Sequence, residues 1–177
     1  MKRWLILFTV GCLAFAGAAN AAVQQGDTEL DALGTWLSEN GEDGGDDYDA
    51  LFLGASIGYF VTDNIQVGAT AMLMSLEIGS SDTDAYGIGA KAKYHFMPTN
   101  QWVPYVGGQI MWVDSDSDSG TYDGDGTLWG PVAGLRYELN AYNDFFVEYQ
   151  YHLWDGDASE VLDDGHALFV GLIHQFK

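Results

Sequence analysis

The feature that most constrains this chain is a two-residue alternation, repeated along eight stretches, with one face kept free of charge wherever the pattern is clearest. The stretches run approximately over 28–38, 48–60, 65–76, 85–96, 103–113, 128–139, 145–154 and 166–176. Side chains in a strand point to opposite sides in turn, so a period of two signals strand rather than helix. In the fourth stretch Tyr86, Ile88, Ala90, Ala92, Tyr94 and Phe96 share one face, and Gly87, Gly89, Lys91, Lys93 and His95 share the other. The sixth sets Trp129, Pro131, Ala133, Leu135, Tyr137 and Leu139 against Gly130, Val132, Gly134, Arg136 and Glu138. The seventh sets Phe145, Val147, Tyr149, Tyr151 and Leu153 against Phe146, Glu148, Gln150 and His152. A water-soluble barrel keeps its apolar face inside and dresses the outside with charge. Here the polar face is too sparse to coat an exterior. The apolar face ends in Tyr, Trp or Phe, as a lipid-facing band with aromatic girdles does. It is therefore expected to point outward.

Lipid offers backbone N–H and C=O groups no partner, so strands cross it only as a barrel without edges. Tilted strands of about 9–11 residues suffice. The expected fold is an all-β, eight-stranded antiparallel up-and-down transmembrane barrel, closed by pairing the last strand with the first. Connectors after the even stretches are short ("VTDN", "MPTNQW", "NAYND"), and those after the odd ones are acidic and rich in Gly and Ser. Long connectors of such barrels face the cell exterior and short turns the periplasm.

At the N-terminus, Lys2 and Arg3 precede an uncharged apolar run and then Ala19-Asn20-Ala21, the layout of a cleaved signal peptide over residues 1–21. The barrel domain is expected over 22–177. Removing the leader takes the formal charge from −20 to −22 and removes the only cysteine, Cys12. No disulfide, thiol nucleophile or thiolate ligand remains. So acidic a chain is excluded as a general nucleic-acid binder, because phosphates would repel it.

Several segments resemble the small eight-stranded outer-membrane barrels of Gram-negative bacteria, the OmpA/OmpX-like group. They are "GDTEL" opening the first strand, "GYFVTDNIQVG" across the first short turn, "WVPYVGG", "EYQY" and the alternating end at Phe176. The resemblance covers essentially the whole chain after the leader. It implies the outer membrane as location, outer-membrane lipid and lipopolysaccharide as surroundings, and recognition of the terminal aromatic, Phe176, by the barrel-assembly machinery. Lys177 follows Phe176 as a departure from that pattern. The family implies location better than activity, since it holds anchors, adhesins, conduits and lipid-modifying enzymes.

Eight strands enclose an interior about wide enough for side chains to fill. On the alternation, Lys91, Lys93, Tyr105, Gln109, Arg136, Glu138, Glu148 and Gln150 point inward, a charged network that plugs the lumen. A three-residue turn over Ala141–Asn143 would place Arg136 opposite Glu148, and a similar count would place Lys91 opposite Gly107. No inward histidine has a serine close by on its face, so no catalytic constellation is expected. Most of the 26 carboxylates fall in the long connectors. Asp114, Asp116 and Asp118 alternate as oxygen ligands of a calcium loop do, and Asp125 is twelfth in line, although Ser119 stands where such a loop has Gly. Ca2+ or other divalent cations are the only cofactors this suggests. The expected role is structural or surface-interacting: a non-enzymatic, monomeric barrel with acidic loops outside. A small-solute or lipophile conduit is the alternative, and a lipid-modifying enzyme the third reading.

Overall fold

A computed structural model describes residues 23–39, 48–78, 81–117, 124–156 and 164–176. The expected leader, 1–21, lies outside them. The strands are β1 (Thr28–Glu39), β2 (Tyr48–Phe60), β3 (Ile65–Ile78), β4 (Ser81–His95), β5 (Trp102–Ser117), β6 (Gly124–Asn140), β7 (Asn143–Gly156) and β8 (Asp164–Phe176). Each pairs antiparallel with its neighbours, and β1 meets β8, so the sheet closes. All eight alternating stretches are strands. At the long-connector end β4, β5 and β6 each run four residues further than the sequence pattern suggests, to Ser81, Ser117 and Gly124. There the composition is acidic, but a neighbouring strand is present at the same level, so the ladder continues: Asp84 pairs with Asp116 and Asp114 with Asp125.

The apolar alternation faces out. Leu30, Ile57, Leu73, Ile88, Ile110, Leu135 and Leu168 are all exposed, while Phe60, Tyr105, Leu128, Phe146 and Phe169 are buried inside. Aromatic pairs mark the short-turn end of this outer face, with Tyr94 against Phe96 and Trp102 against Tyr137.

The short turns are held by side chains. Thr62 Oγ1 accepts from the Asn64 and Ile65 amides at 3.3 and 3.0 Å, and Asn64 Nδ2 donates to the His95 carbonyl at 2.7 Å. Between β6 and β7, Asn140 Oδ1 accepts from the amides of Tyr142 and Asn143 and from Asn143 Nδ2. This cap tightens the turn to Ala141 and Tyr142, with Asn140 opposite Asn143 and an irregularity between Glu138 and Asn140. The register therefore differs by two residues from the sequence expectation. Arg136 lies opposite Phe146, and Glu148 lies opposite Gly134, so the expected Arg136–Glu148 cross-strand pair is not formed. The β4–β5 register is likewise corrected: Lys91 faces Gln109, and Lys93 faces Gly107.

A strap from Val23 to Asp27 crosses the short-turn mouth. Gly26, at φ 99°, turns the chain into β1, a conformation that favours glycine. The Gln25 amide donates to Asp63 in the β2–β3 turn, and the Val23 amide reaches the Pro98 carbonyl in the β4–β5 turn at 3.3 Å. Val23 itself is buried.

Candidate functional site

The interior is layered along the barrel axis. Nearest the short turns, Arg136 on β6 is buried between two carboxylates. Its Nη2 donates to Glu29 Oε1 at 2.8 Å and also to Asp144, and its Nε donates to Asp144 Oδ2 at 2.8 Å. Gln66 Nε2 donates to Glu29 at 2.8 Å and Gln175 Nε2 to Asp144 at 3.0 Å. A buried guanidinium is tolerated when its donors are matched in this way; alone it would be strongly unfavourable.

One layer further in, Glu148 on β7 gathers both lysines of β4. Lys91 Nζ lies 3.0 Å from its Oε1 and Lys93 Nζ 3.4 Å from its Oε2. Tyr105 donates its hydroxyl to Oε2 at 2.9 Å, and Gln150 Nε2 donates to Oε1 at 2.6 Å. Lys93 also reaches Asp31 Oδ2 at 3.2 Å and sits over the Tyr105 ring, 4.9 Å from its centre. Gln109 Nε2 donates to Gln150 Oε1 at 2.9 Å, and His152 Nε2 lies 2.9 Å from the same oxygen.

Beyond His152, towards the long connectors, the interior turns apolar. Met72, Ala85, Met111, Val113 and Leu128 form one buried cluster, with Phe52, Met74 and Trp154 packed against it. The lumen is thus charged in its short-turn half and greasy in its long-connector half.

Of the residues anticipated for the lumen, Lys91, Lys93, Tyr105 and Glu148 meet in one cluster, and Arg136 belongs to another. Glu138 faces the mouth, half-buried opposite Asp144. Sequence reasoning missed Glu29, Asp31 and Asp144, the acids that balance Lys93 and Arg136. The usable signal was there: Glu29 and Asp31 alternate with Leu30 and Ala32, and a carboxylate inside a lipid-crossing strand must face inward.

Asp114, Asp116 and Asp125 sit at the outer ends of β5 and β6, on the outward-facing side. Asp114 accepts from the Tyr86 hydroxyl at 2.7 Å, and Asp125 from Trp112 Nε1 at 3.3 Å. Extended strand holds these carboxylates, in place of the tight loop a twelve-residue calcium site needs. Among the described residues no group of three or more His, Cys, Asp or Glu could hold a metal ion. Asp118 lies outside the described residues. Phe176 is exposed on the outer face, edge-on to His174 at 4.8 Å. His95 is buried between the rings of Phe60 and Tyr105, at 5.0 and 5.3 Å.

The family model described as "Outer membrane protein beta-barrel domain" matches residues 8–176. The chain belongs to this outer-membrane β-barrel family. Among solved structures it is similar to Neisserial surface protein A, at 21% identity and TM-score 0.64, covering 85% of this chain and 96% of that one. It is also similar to the N-terminal β-barrel domain of Pseudomonas aeruginosa OprF, at 18% identity and TM-score 0.56, covering 86% of this chain and 99% of that one. Pseudomonas aeruginosa OprG aligns at 14% identity and TM-score 0.54, covering 89% of this chain and 99% of that one. At these identities the likeness is one of fold. A search of curated proteins finds no match. Membership makes the outward apolar face of this outer-membrane barrel its lipid contact.

Proposed function

We propose that this barrel is a non-enzymatic anchor that presents an acidic surface outside the cell and is tied to lipopolysaccharide phosphates through shared divalent cations. One observation carries the reading. At the long-connector ends of the strands the carboxylates lie on the outward side, directly above the lipid-facing band, and they face one another across the ladder. Asp49 is opposite Glu77, Glu77 opposite Asp82, Asp84 opposite Asp116, and Asp114 opposite Asp125. Like charges directly opposite in a sheet repel. A divalent cation between them removes the repulsion and leaves charge to spare for a phosphate.

The test is urea unfolding of the barrel in vesicles with and without lipopolysaccharide, in Mg2+ or in chelator at matched ionic strength. Mg2+ should stabilise the protein only where lipopolysaccharide is present. The effect should shrink in the variant Asp84→Asn with Asp114→Asn, Asp116→Asn and Asp125→Asn. An equal Mg2+ effect in phosphatidylcholine alone, or in that variant, would refute the cation bridge. The conduit alternative gains a specific support only from the apolar half of the lumen.

A further inference from the structure

The fully buried charges do not balance. Among the described residues they are the carboxylates Glu29, Asp31, Asp144 and Glu148 and the cations Lys91, Lys93 and Arg136, so one negative charge is in excess. An uncompensated charge in a dry interior is strongly unfavourable. The excess can be placed. Glu148 and Asp31 share Lys91 and Lys93, and that layer is neutral. Glu29 and Asp144 share the one guanidinium of Arg136, so the surplus belongs to their layer, nearest the short turns. Glu138, half-buried opposite Asp144 in the ladder, adds negative potential from the mouth side.

Within that layer the hydrogen bonds are unevenly spread. Both oxygens of Glu29 are occupied, Oε1 by Arg136 Nη2 at 2.8 Å, and Oε2 by Arg136 Nη1 at 3.2 Å and Gln66 Nε2 at 2.8 Å. Asp144 instead takes three donors on one oxygen, since Arg136 Nε, Arg136 Nη2 and Gln175 Nε2 all reach Oδ2. Asp144 Oδ1 has no hydrogen-bond partner among the described residues, and neither has Gln175 Oε1. Both residues are only 1% exposed. The 3.0 Å bond from Gln175 Nε2 to Asp144 Oδ2 holds them side by side, so two unpartnered oxygens, one of them charged, flank a single hydrogen bond. Buried acceptors are normally satisfied. His95 does not supply the charge: a protonated ring carries two N–H donors, and both of its ring nitrogens are buried without a partner among the described residues. Asp31 Oδ1 is unpartnered too, but the two lysines already balance its layer.

We propose that Asp144 Oδ1 and Gln175 Oε1 bind one monovalent alkali cation, Na+ or K+, just inside the short-turn mouth. Carboxylate and amide oxygens are the ligands hard cations take. A single positive charge restores neutrality to the buried layers, whereas a divalent ion would leave them with an excess of the opposite sign. Asp144 is the second residue of β7 and Gln175 the last but one of β8. The ion therefore exchanges with the water at that mouth without crossing the Glu148 layer.

The refolded protein is unfolded by urea in phosphatidylcholine vesicles with chelator present, so that divalent cations at the outer surface play no part. NaCl and KCl are titrated against choline chloride at constant ionic strength, choline being too large to enter the layer. The unfolding midpoint should rise with the logarithm of the alkali concentration, as for any ligand that binds the folded state alone, and stay level in choline. Asp144→Asn removes the excess charge and keeps the shape, so the alkali dependence should vanish although every surface carboxylate is retained. A midpoint equal in alkali and choline, as a proton or an ordered water at Asp144 would give, or an alkali dependence that Asp144→Asn retains, would overturn the site. If the variant does not fold, crystals of the unaltered protein grown with Rb+ decide by anomalous scattering. A peak beside Asp144 and Gln175 that excess K+ displaces supports the site, and a peak elsewhere or none overturns it.

Discussion

Arg136 shows how much of the interior hangs on single side chains. Its guanidinium serves Glu29 and Asp144 together, so Arg136→Ala leaves two buried carboxylates without a counter-ion. The expected cost is about 3–5 kcal/mol in urea unfolding of the refolded barrel. A double-mutant cycle should give coupling between Arg136 and Glu29 well above the ~0.5 kcal/mol that marks independent sites, and none above it between Arg136 and Glu148. The reverse outcome would mean that the β6–β7 register is wrong. Gly134 makes a second point at this scale. A Cβ there would meet the Tyr105 ring and, at 2.7 Å, the Val147 carbonyl. The ring cannot swing away freely because its hydroxyl is held by Glu148. Gly134→Ala should destabilise by about 1–3 kcal/mol through overpacking. Gly108→Ala, whose Cβ would meet only a carbonyl at 3.6 Å, should be close to neutral in the same assay.

Among the elements, β6 offers the cleanest test of which face meets lipid. Leu135 and Leu139 lie on its outward side, the first within the band and the second next to the β6–β7 turn. An arginine costs about 2–4 kcal/mol near the bilayer midplane and about 0–1 near the interface. Leu135→Arg should therefore lose most of the heat-modifiable folded barrel, and Leu139→Arg should retain it. Equal losses would place the strand at the wrong depth. An arginine at Gly134 is no control for this comparison, since the Tyr105 ring already occupies that part of the lumen.

For the molecule as a whole, the question is what opens and what stays shut. The short-turn mouth is crossed by the strap, which few bonds hold, while the ion pairs behind it tie together β1, β4, β6 and β7. The strap should therefore open without the barrel. Val23→Asp places a carboxylate where a buried valine sat, an unfavourable burial that detachment relieves. Amide exchange should then quicken at Gly26 and Phe60, whose amides join the strap to β2, with the global unfolding midpoint unchanged. Loss of the midpoint together with strap protection would show that the strap is part of the cooperative unit.

The number of strands, their order and the side each residue faces were legible in the sequence. Alternation is a local property, and lipid allows a sheet only as a closed ring. That is why Lys91, Lys93, Tyr105, Arg136 and Glu148 could be placed inside from their positions alone. Which of them would touch was not legible. Sliding a strand by two residues leaves every side chain on its own face, so the pattern is blind to it, although each cross-strand partner changes. The Asn140 cap and the irregularity between Glu138 and Asn140 together made that choice at the β6–β7 turn and gave Arg136 to Asp144 and Glu29 instead of Glu148. Contacts between β1 and β6, or between β4 and β7, span the lumen rather than a ladder, and they exist only once the ring has closed. The same holds for the outer strand ends. Their acidic composition reads as connector, and only the neighbouring strand, by offering backbone partners at that height, made them sheet. The seam between β1 and β8 joins the two ends of the barrel, and where its pairing stops is decided by the closed ring alone.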